Sequence, residues 1–140
     1  MTENIQTGGC MCGKTRYEIN MDGAKTGNCH CRDCQKNSGC AFMSFTSVKL
    51  GQLKWIKEPE GVANVSAVAK RRSCSTCGTP MTWEGVEYQH HQSISTGTLD
   101  DPSCTRISYE IFTRSRWPGI LPVEGALQFE DGDITEADVS

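Results

Sequence analysis

This sequence has few of the features that would point to a membrane, a nucleic acid or a helical bundle. No run of about 18 apolar residues occurs, which is the length a membrane-spanning helix needs, and mean hydropathy is -0.46. Residues 1–9 contain no apolar stretch of the kind that marks a secretory signal. Basic residues are not in excess: 14 Lys and Arg face 17 Asp and Glu, for a formal net charge of -3. Without a global basic field, nucleic acid is not an expected partner. Aromatic residues make up only 7% of the chain, and no long segment repeats apolar residues at the helical period. No internal repeat or linker interrupts it. The expectation is a soluble, cytoplasmic protein of one domain over residues 1–140, with a core over about 8–130 and an acidic tail.

What the chain does have is nine cysteines. In the absence of an export signal, that number argues for metal or thiol chemistry rather than a disulfide framework. Short stretches at Thr15 to Met21, Cys40 to Leu50, Leu53 to Lys57, Met81 to Glu84 and Ile107 to Thr113 read as strands, the first and last of them by alternation. Residues 65–72 and 92–99 extend the set to seven or eight. Residues 1–8 read as a frayed end, 22–28 and 58–61 as turns, and 35–38 as one helical turn before Gly39. The fold class expected is all-β, with packed antiparallel sheets.

Two cysteine constellations carry the chemistry. Cys74-Ser75-Thr76-Cys77-Gly78 has the form of a zinc knuckle: two intervening residues let both sulfurs face one ion, and the glycine permits the tight turn. Cys10-Met11-Cys12-Gly13 is a second short paired-cysteine turn ending in glycine. Together Cys10, Cys12, Cys74 and Cys77 form a closed four-cysteine ligand set for a structural metal. Cys29, Cys31 and Cys34 form a further group of three thiols within six residues. Three protein ligands and an open position are typical of catalytic zinc. The competing reading is that Cys40 supplies a fourth thiolate and closes a second structural site. With both clusters loaded and their thiols ionised, formal charge falls to about -6.

Around these clusters, His30 reads as a packing or supporting residue, and His90 and His91 as surface residues. Lys70, Arg71 and Arg72 read as a charged strand end, Cys104 as an ordinary thiol, and Phe42, Trp83 and Trp117 as packing residues. Arg32 and Lys36, beside the three-thiol group, are the candidates for holding a substrate carboxylate.

The ordered motifs at Gly8 to Gly13, Cys29 to Gly39 and Cys74 to Pro80, with the later Gly97-Thr98-Leu99-Asp100-Asp101-Pro102, resemble the glutathione-dependent formaldehyde-activating (GFA, CENP-V-like) family. The resemblance implies an Mss4-like fold with two Zn²⁺ per chain: a structural ion at Cys10, Cys12, Cys74 and Cys77 and a catalytic ion at Cys29, Cys31 and Cys34. It further implies a carbon–sulfur lyase acting reversibly on a thiohemiacetal, such as S-(hydroxymethyl)glutathione formed from glutathione and formaldehyde. A small-molecule thiol is then the expected partner. Two readings of other classes stand beside it: a non-enzymatic thiol or aldehyde binder or zinc-stabilised interaction module, and a lyase or hydrolase for a different thiol adduct. The chain departs from the family pattern in the late strand, where members often carry a histidine and Glu110 or a neighbour stands here, and at Cys40, where the residue is frequently small or apolar.

Overall fold

The computed structural model describes residues 4–86 and 90–132. Along the chain run β1 (Ile5–Gly9), β2 (Arg16–Asn20), β3 (Lys25–Cys29), α1 (Arg32–Ser38), β4 (Met43–Lys49), β5 (Leu53–Lys57) and β6 (Gly61–Asn64). There follow β7 (Ala69–Ser73), β8 (Pro80–Gly85), β9 (His91–Ser95), β10 (Ile107–Ile111) and the two-residue β11 (Leu127–Gln128). The chain divides into two compact units: Met1–Ala24 with Thr46–Cys104, and Lys25–Phe45 with Thr105–Ser140. The class is the all-β one expected, with a single short α-helix and three 3₁₀ turns among the described residues. No described helix is long and apolar enough to cross a membrane.

In the first unit, β1, β2 and β5 form an antiparallel sheet in that order, while β6, β7, β8 and β9 form a second antiparallel ladder. The alternation along β2 points Tyr17 and Ile19 inward, where both are fully buried, and leaves Glu18 in solvent. They join Val48, Leu53, Met81, Ile94 and Leu99 in one apolar cluster that also takes in Cys10 and Cys74. The Tyr17 ring meets Trp55 edge-on at 5.9 Å between centroids. Each large side chain buried in this way contributes roughly 1.5–3 kcal/mol. The first thiol cluster is therefore anchored directly to a hydrophobic core. Gly8 is required at a close approach: a Cβ there would lie 2.3 Å from the Tyr17 hydroxyl and 2.5 Å from the Thr98 carbonyl oxygen.

In the second unit, β3 and β11 flank β10, and both pairings are parallel. The register sets Asn28 opposite Glu110 and Cys29 opposite Ile111. Parallel pairing here adds to the packed antiparallel sheets expected from sequence. Three local expectations fail. Residues 5–8, expected in a frayed end, belong to the paired strand β1; residues 25–28, expected in a turn, belong to β3; and Gly61, expected to end the 58–61 turn, opens the strand β6. The helical turn expected at 35–38 begins three residues earlier, at Arg32, and ends as expected at Gly39, whose φ of 71° closes it. Of residues 65–72, only the part from Ala69 onward is strand. The expectations for residues 87–89 and for the end of the acidic tail, 133–140, fall outside the described residues.

Candidate metal centres

The first cluster is made by two turns of similar hydrogen bonding, one residue longer inside the second. After β1, Cys10 N–H donates to the Thr15 carbonyl at 3.1 Å and Gly13 N–H to the Cys10 carbonyl at 3.2 Å. Between β7 and β8, Cys74 N–H donates to the Thr79 carbonyl at 3.0 Å and Gly78 N–H to the Cys74 carbonyl at 2.8 Å. Gly13 and Gly78 both hold positive φ, 82° and 78°, which an L side chain adopts only with strain. The result brings the Sγ atoms of Cys10, Cys12, Cys74 and Cys77 within 4.8 Å of one another. Cys10 and Cys12 sulfurs are 3.6 Å apart, and Cys12 and Cys74 sulfurs 3.7 Å. A tetrahedral zinc with bonds of about 2.3 Å has sulfur–sulfur edges of roughly 3.8 Å. These separations are far too long for disulfides, and all nine cysteines are free. The donor set fits a tetrahedral thiophilic cation.

Thr79 joins the two turns. Its hydroxyl accepts from Met11 N–H at 3.2 Å and lies 3.1 Å from the Cys77 sulfur. That hydroxyl, followed by the Thr79 backbone N–H, pulls the Cys77 thiol down to about 5. Cys12 goes the other way, to about 11: a bond from the Lys14 backbone lowers it, but burial and the thiols of Cys10, Cys74 and Cys77 outweigh that. Thiols that hinder one another's ionisation are what a dication relieves.

The second cluster is built across a strand end and a helix start. Cys29 ends β3, Cys31 caps α1, and Cys34 sits in its first turn. Their Sγ atoms lie within 4.8 Å of one another, with Cys29 and Cys34 buried and Cys31 half-buried. Cys31 has extended backbone geometry (φ -64°, ψ 157°), and its sulfur accepts the Cys34 N–H at 3.3 Å, so the same thiol caps the helix and faces the cluster. The neighbouring side chains of Cys31 and Cys34, with burial after them, push the Cys29 thiol far up. Three thiols so placed also fit a cation, and they fit it with one protein ligand fewer than the first cluster. Cys40 is exposed and lies outside the three-thiol group; its N–H is held by the Ser38 hydroxyl at 3.1 Å.

Arg32 and Lys36 occupy exposed positions four residues apart on α1, hence on one face of the helix. The Arg32 guanidinium donates a hydrogen bond to the Gln35 side-chain oxygen. Gln35, which sequence reasoning passed over, is buried, and its amide nitrogen donates to the His30 carbonyl at 2.8 Å and the Ser115 carbonyl at 3.0 Å. His30 is fully buried, its Nε2 2.9 Å from Glu110 Oε1, and its ring packs on Phe42 at 5.3 Å. His90 and His91 are exposed. Lys70 and Arg72 both pair with Glu84, at 3.4 and 3.0 Å, and Arg71 is buried, as suits a charged strand rather than an anion-steering patch. Trp83 is half-buried, whereas Trp117 and Cys104 are exposed.

The first unit also holds a hollow of about 530 Å³ beside the four-thiol cluster, with Arg16, Ser95 and Asp100 in its wall. Its two charges satisfy each other: Arg16 spans both Asp100 oxygens at 2.9 and 2.6 Å, and Thr7 adds a third bond at 2.6 Å. The Arg16 guanidinium holds the Asp100 carboxyl down at about 2. This hollow offers no uncommitted charge to a ligand, and the chemistry lies with the thiols.

An all-β chain carrying one cluster of four thiols and one of three, each fit for a cation, is a candidate metal-binding protein. The chain belongs to the glutathione-dependent formaldehyde-activating enzyme family, whose model matches residues 5–115. Its Mss4-like fold is consistent with that family. It is similar in fold to the crystal structure of a Rhodobacter sphaeroides protein, at 16% identity and a TM-score of 0.55, over 88% of this chain and 98% of that one. No curated protein matches it.

Proposed function

We propose that the protein is a carbon–sulfur lyase that makes and breaks a thiohemiacetal, with glutathione and formaldehyde as the leading substrates and S-(hydroxymethyl)glutathione as the adduct. The observation that carries this reading is the contrast between the clusters: Cys10, Cys12, Cys74 and Cys77 offer four thiolates, but Cys29, Cys31 and Cys34 offer only three. Family membership supports the choice of substrates. Zinc is the ion both donor sets suit, closed in the first cluster and open to a substrate in the second. When bound there, zinc supplies a Lewis-acid position that favours the thiolate form of a thiol.

In the forward direction the thiol sulfur forms a bond to the aldehyde carbon, the C=O π pair moves to oxygen, and the thiol proton ends on the new hydroxyl. In reverse the C–S bond breaks and the aldehyde leaves. The chain's contribution is to hold the tripeptide: Arg32 and Lys36 are the residues assigned to its carboxylates in this reading, which their shared face of α1 supports. Ionisation alone is a small part of the rate. A free thiol of pKa about 8.5 is already a few per cent thiolate at neutral pH, so full ionisation gains only about 30-fold. Positioning must supply the rest. The free thiols throughout suit a reducing compartment such as the cytoplasm.

Exchange NMR on glutathione and formaldehyde mixtures tests the proposal, since the uncatalysed reaction runs on its own and sets the baseline. Protein that speeds interconversion supports the lyase. Protein that changes only the amounts bound makes it a thiol or aldehyde binder.

A further inference from the structure

Glu110 is 1% exposed and yet is a charged residue in the middle of β10. Its carboxylate accepts five hydrogen bonds from separate parts of the second unit. Oε1 takes Asn28 Nδ2 at 3.2 Å and His30 Nε2 at 2.9 Å. Oε2 takes an Arg116 guanidinium nitrogen at 3.1 Å, Val123 N–H at 3.0 Å and Gln128 Nε2 at 2.8 Å. Full satisfaction of this kind is what makes a buried carboxylate tolerable. The two oxygens divide the labour. Oε2 gathers the late chain, while Oε1 reaches the two residues that flank Cys29.

That second arm acts on the thiols through the backbone. His30 lies between Cys29 and Cys31, its N–H donates to the Ile111 carbonyl at 3.1 Å, and its carbonyl receives Gln35 Nε2 at 2.8 Å. The Asn28 side-chain oxygen is itself held by the Ser44 hydroxyl at 2.5 Å. A carboxylate can only accept, so His30 Nε2 must carry the proton, which leaves Nδ1 as the second nitrogen, buried and without a partner. The chain also accepts strain at this point: Phe112, directly after the Ile111 carbonyl, is the non-glycine residue with positive φ among the described residues, at 54°.

We propose that Glu110 is the positioning residue of the three-thiol site, holding the Cys29–Cys31 backbone through His30 and Asn28 and fixing which imidazole nitrogen bears the proton. The inference rests on the reading that this cluster binds a metal. Supporting groups of this kind typically tune metal affinity by 10–100-fold, and the geometry assigns that influence to Oε1 and not to Oε2.

The full chain loaded with cobalt(II) tests it, because thiolate charge-transfer and d–d bands report coordination geometry while a chromophoric chelator reports affinity. Glu110→Gln leaves one acceptor. With three donors on the Oε2 side against two on the other, the amide NH₂ turns toward His30 and Asn28. His30→Phe removes the donor and keeps the ring packed on Phe42, and His30→Gln returns a donor near the place of Nε2. Gln128→Ala removes one donor from Oε2 alone. The wild type is expected to take two cobalt ions. Glu110→Gln and His30→Phe should raise the dissociation constant of one ion about tenfold or more and shift its bands, leaving the other ion unchanged. His30→Gln should restore the wild-type values, and Gln128→Ala should leave both ions as they are. Two ions with unchanged affinity and spectra in His30→Phe, or the same shift in Gln128→Ala, would overturn the positioning role. A wild type that takes only one cobalt would instead sink the metal reading, and the positioning role with it. Should Glu110→Gln fail to fold, the His30→Phe and His30→Gln pair decides the question alone.

Discussion

The Met11 N–H reaches the Thr79 hydroxyl at 3.2 Å, joining two cysteine turns that lie 68 positions apart. The same oxygen sits 3.1 Å from the Cys77 sulfur, so one side chain both stitches the turns and supports a thiolate. Thr79→Val keeps the shape and removes the hydroxyl. It should cost about 1–2 kcal/mol in chemical denaturation of the loaded protein. It should also move Cys77 alkylation to higher pH in the metal-free protein, since the hydroxyl is what holds that thiol down.

Metal content should follow the two clusters separately. Cys74→Ser is expected to leave one metal ion per chain by native mass spectrometry and to lower the melting temperature sharply, because Cys74 belongs to the apolar core of its unit. Cys31→Ser should also leave one ion, abolish catalysis of glutathione–formaldehyde exchange, and affect melting less, as Cys31 is only half-buried. Retention of two ions by either variant would contradict the ligand sets.

Gly8→Ala places a methyl group 2.3 Å from the Tyr17 hydroxyl and 2.5 Å from a backbone oxygen. The tyrosine cannot swing away without leaving its bond to Thr98 Oγ1 at 2.8 Å. A loss of about 1–3 kcal/mol is expected in urea denaturation, whereas Gly23→Ala, at a position with open space, should lose only the cost of its positive φ.

Acid should weaken the protein partly through Glu110. Burial raises its carboxyl pKa, but the bonds from His30, the Val123 backbone, Gln128 and Asn28 outweigh burial and bring it from 4.5 to about 2. A folded-state pKa below the unfolded one means stability that is complete above about pH 4.5 and lost as pH falls toward 2. The shift corresponds to about 3 kcal/mol. Thiolate protonation and metal loss add their own acid sensitivity, so the informative quantity is the difference from Glu110→Gln. That variant should be less stable at pH 7 and should approach the wild type near pH 2.

Arg32 and Lys36 are exposed and close to the three-thiol group, so their effect should fall on binding. The double replacement Arg32→Ala/Lys36→Ala should raise KM for glutathione about 3–10-fold with kcat little changed, and less so in 0.5 M salt, where exposed charges are screened. A fall in kcat at constant KM would place them elsewhere in the reaction.

Much of this was legible in the sequence, because glycine and cysteine leave strong local marks. Gly13, Gly39 and Gly78 end their turns or helix with positive φ where spacing placed them. The alternation of Tyr17 and Ile19 marked β2, since one side of that strand meets an apolar core. β3 was invisible for the opposite reason. Its Thr26, Gly27 and Asn28 are buried without being apolar: Asn28 is there for hydrogen bonds, and Gly27 because a Cβ would strike the Tyr109 ring at 2.3 Å. β1 and β6 are edge strands, β6 largely exposed, whose pairing comes from backbone bonds that composition does not record. Glu110 stood out as a departure from the family pattern, but its five donors come from residues 28 to 128 and no local pattern predicts them.

The parallel register of β3 with β10 sets an order of events on the ribosome. The four-thiol cluster has all its sulfurs once Cys77 has emerged, with Thr79 close behind. The segment bearing Cys29 must wait for β10 and Glu110 before its supports are complete. At about 5–20 residues per second, the interval from residue 79 to 110 is roughly 2–6 s. During that time the first cluster can capture its ion while the second is still unsupported. A nascent chain in metal-poor conditions should therefore mature as a half-loaded species, with its stabilising ion in place and its reactive position still to be filled.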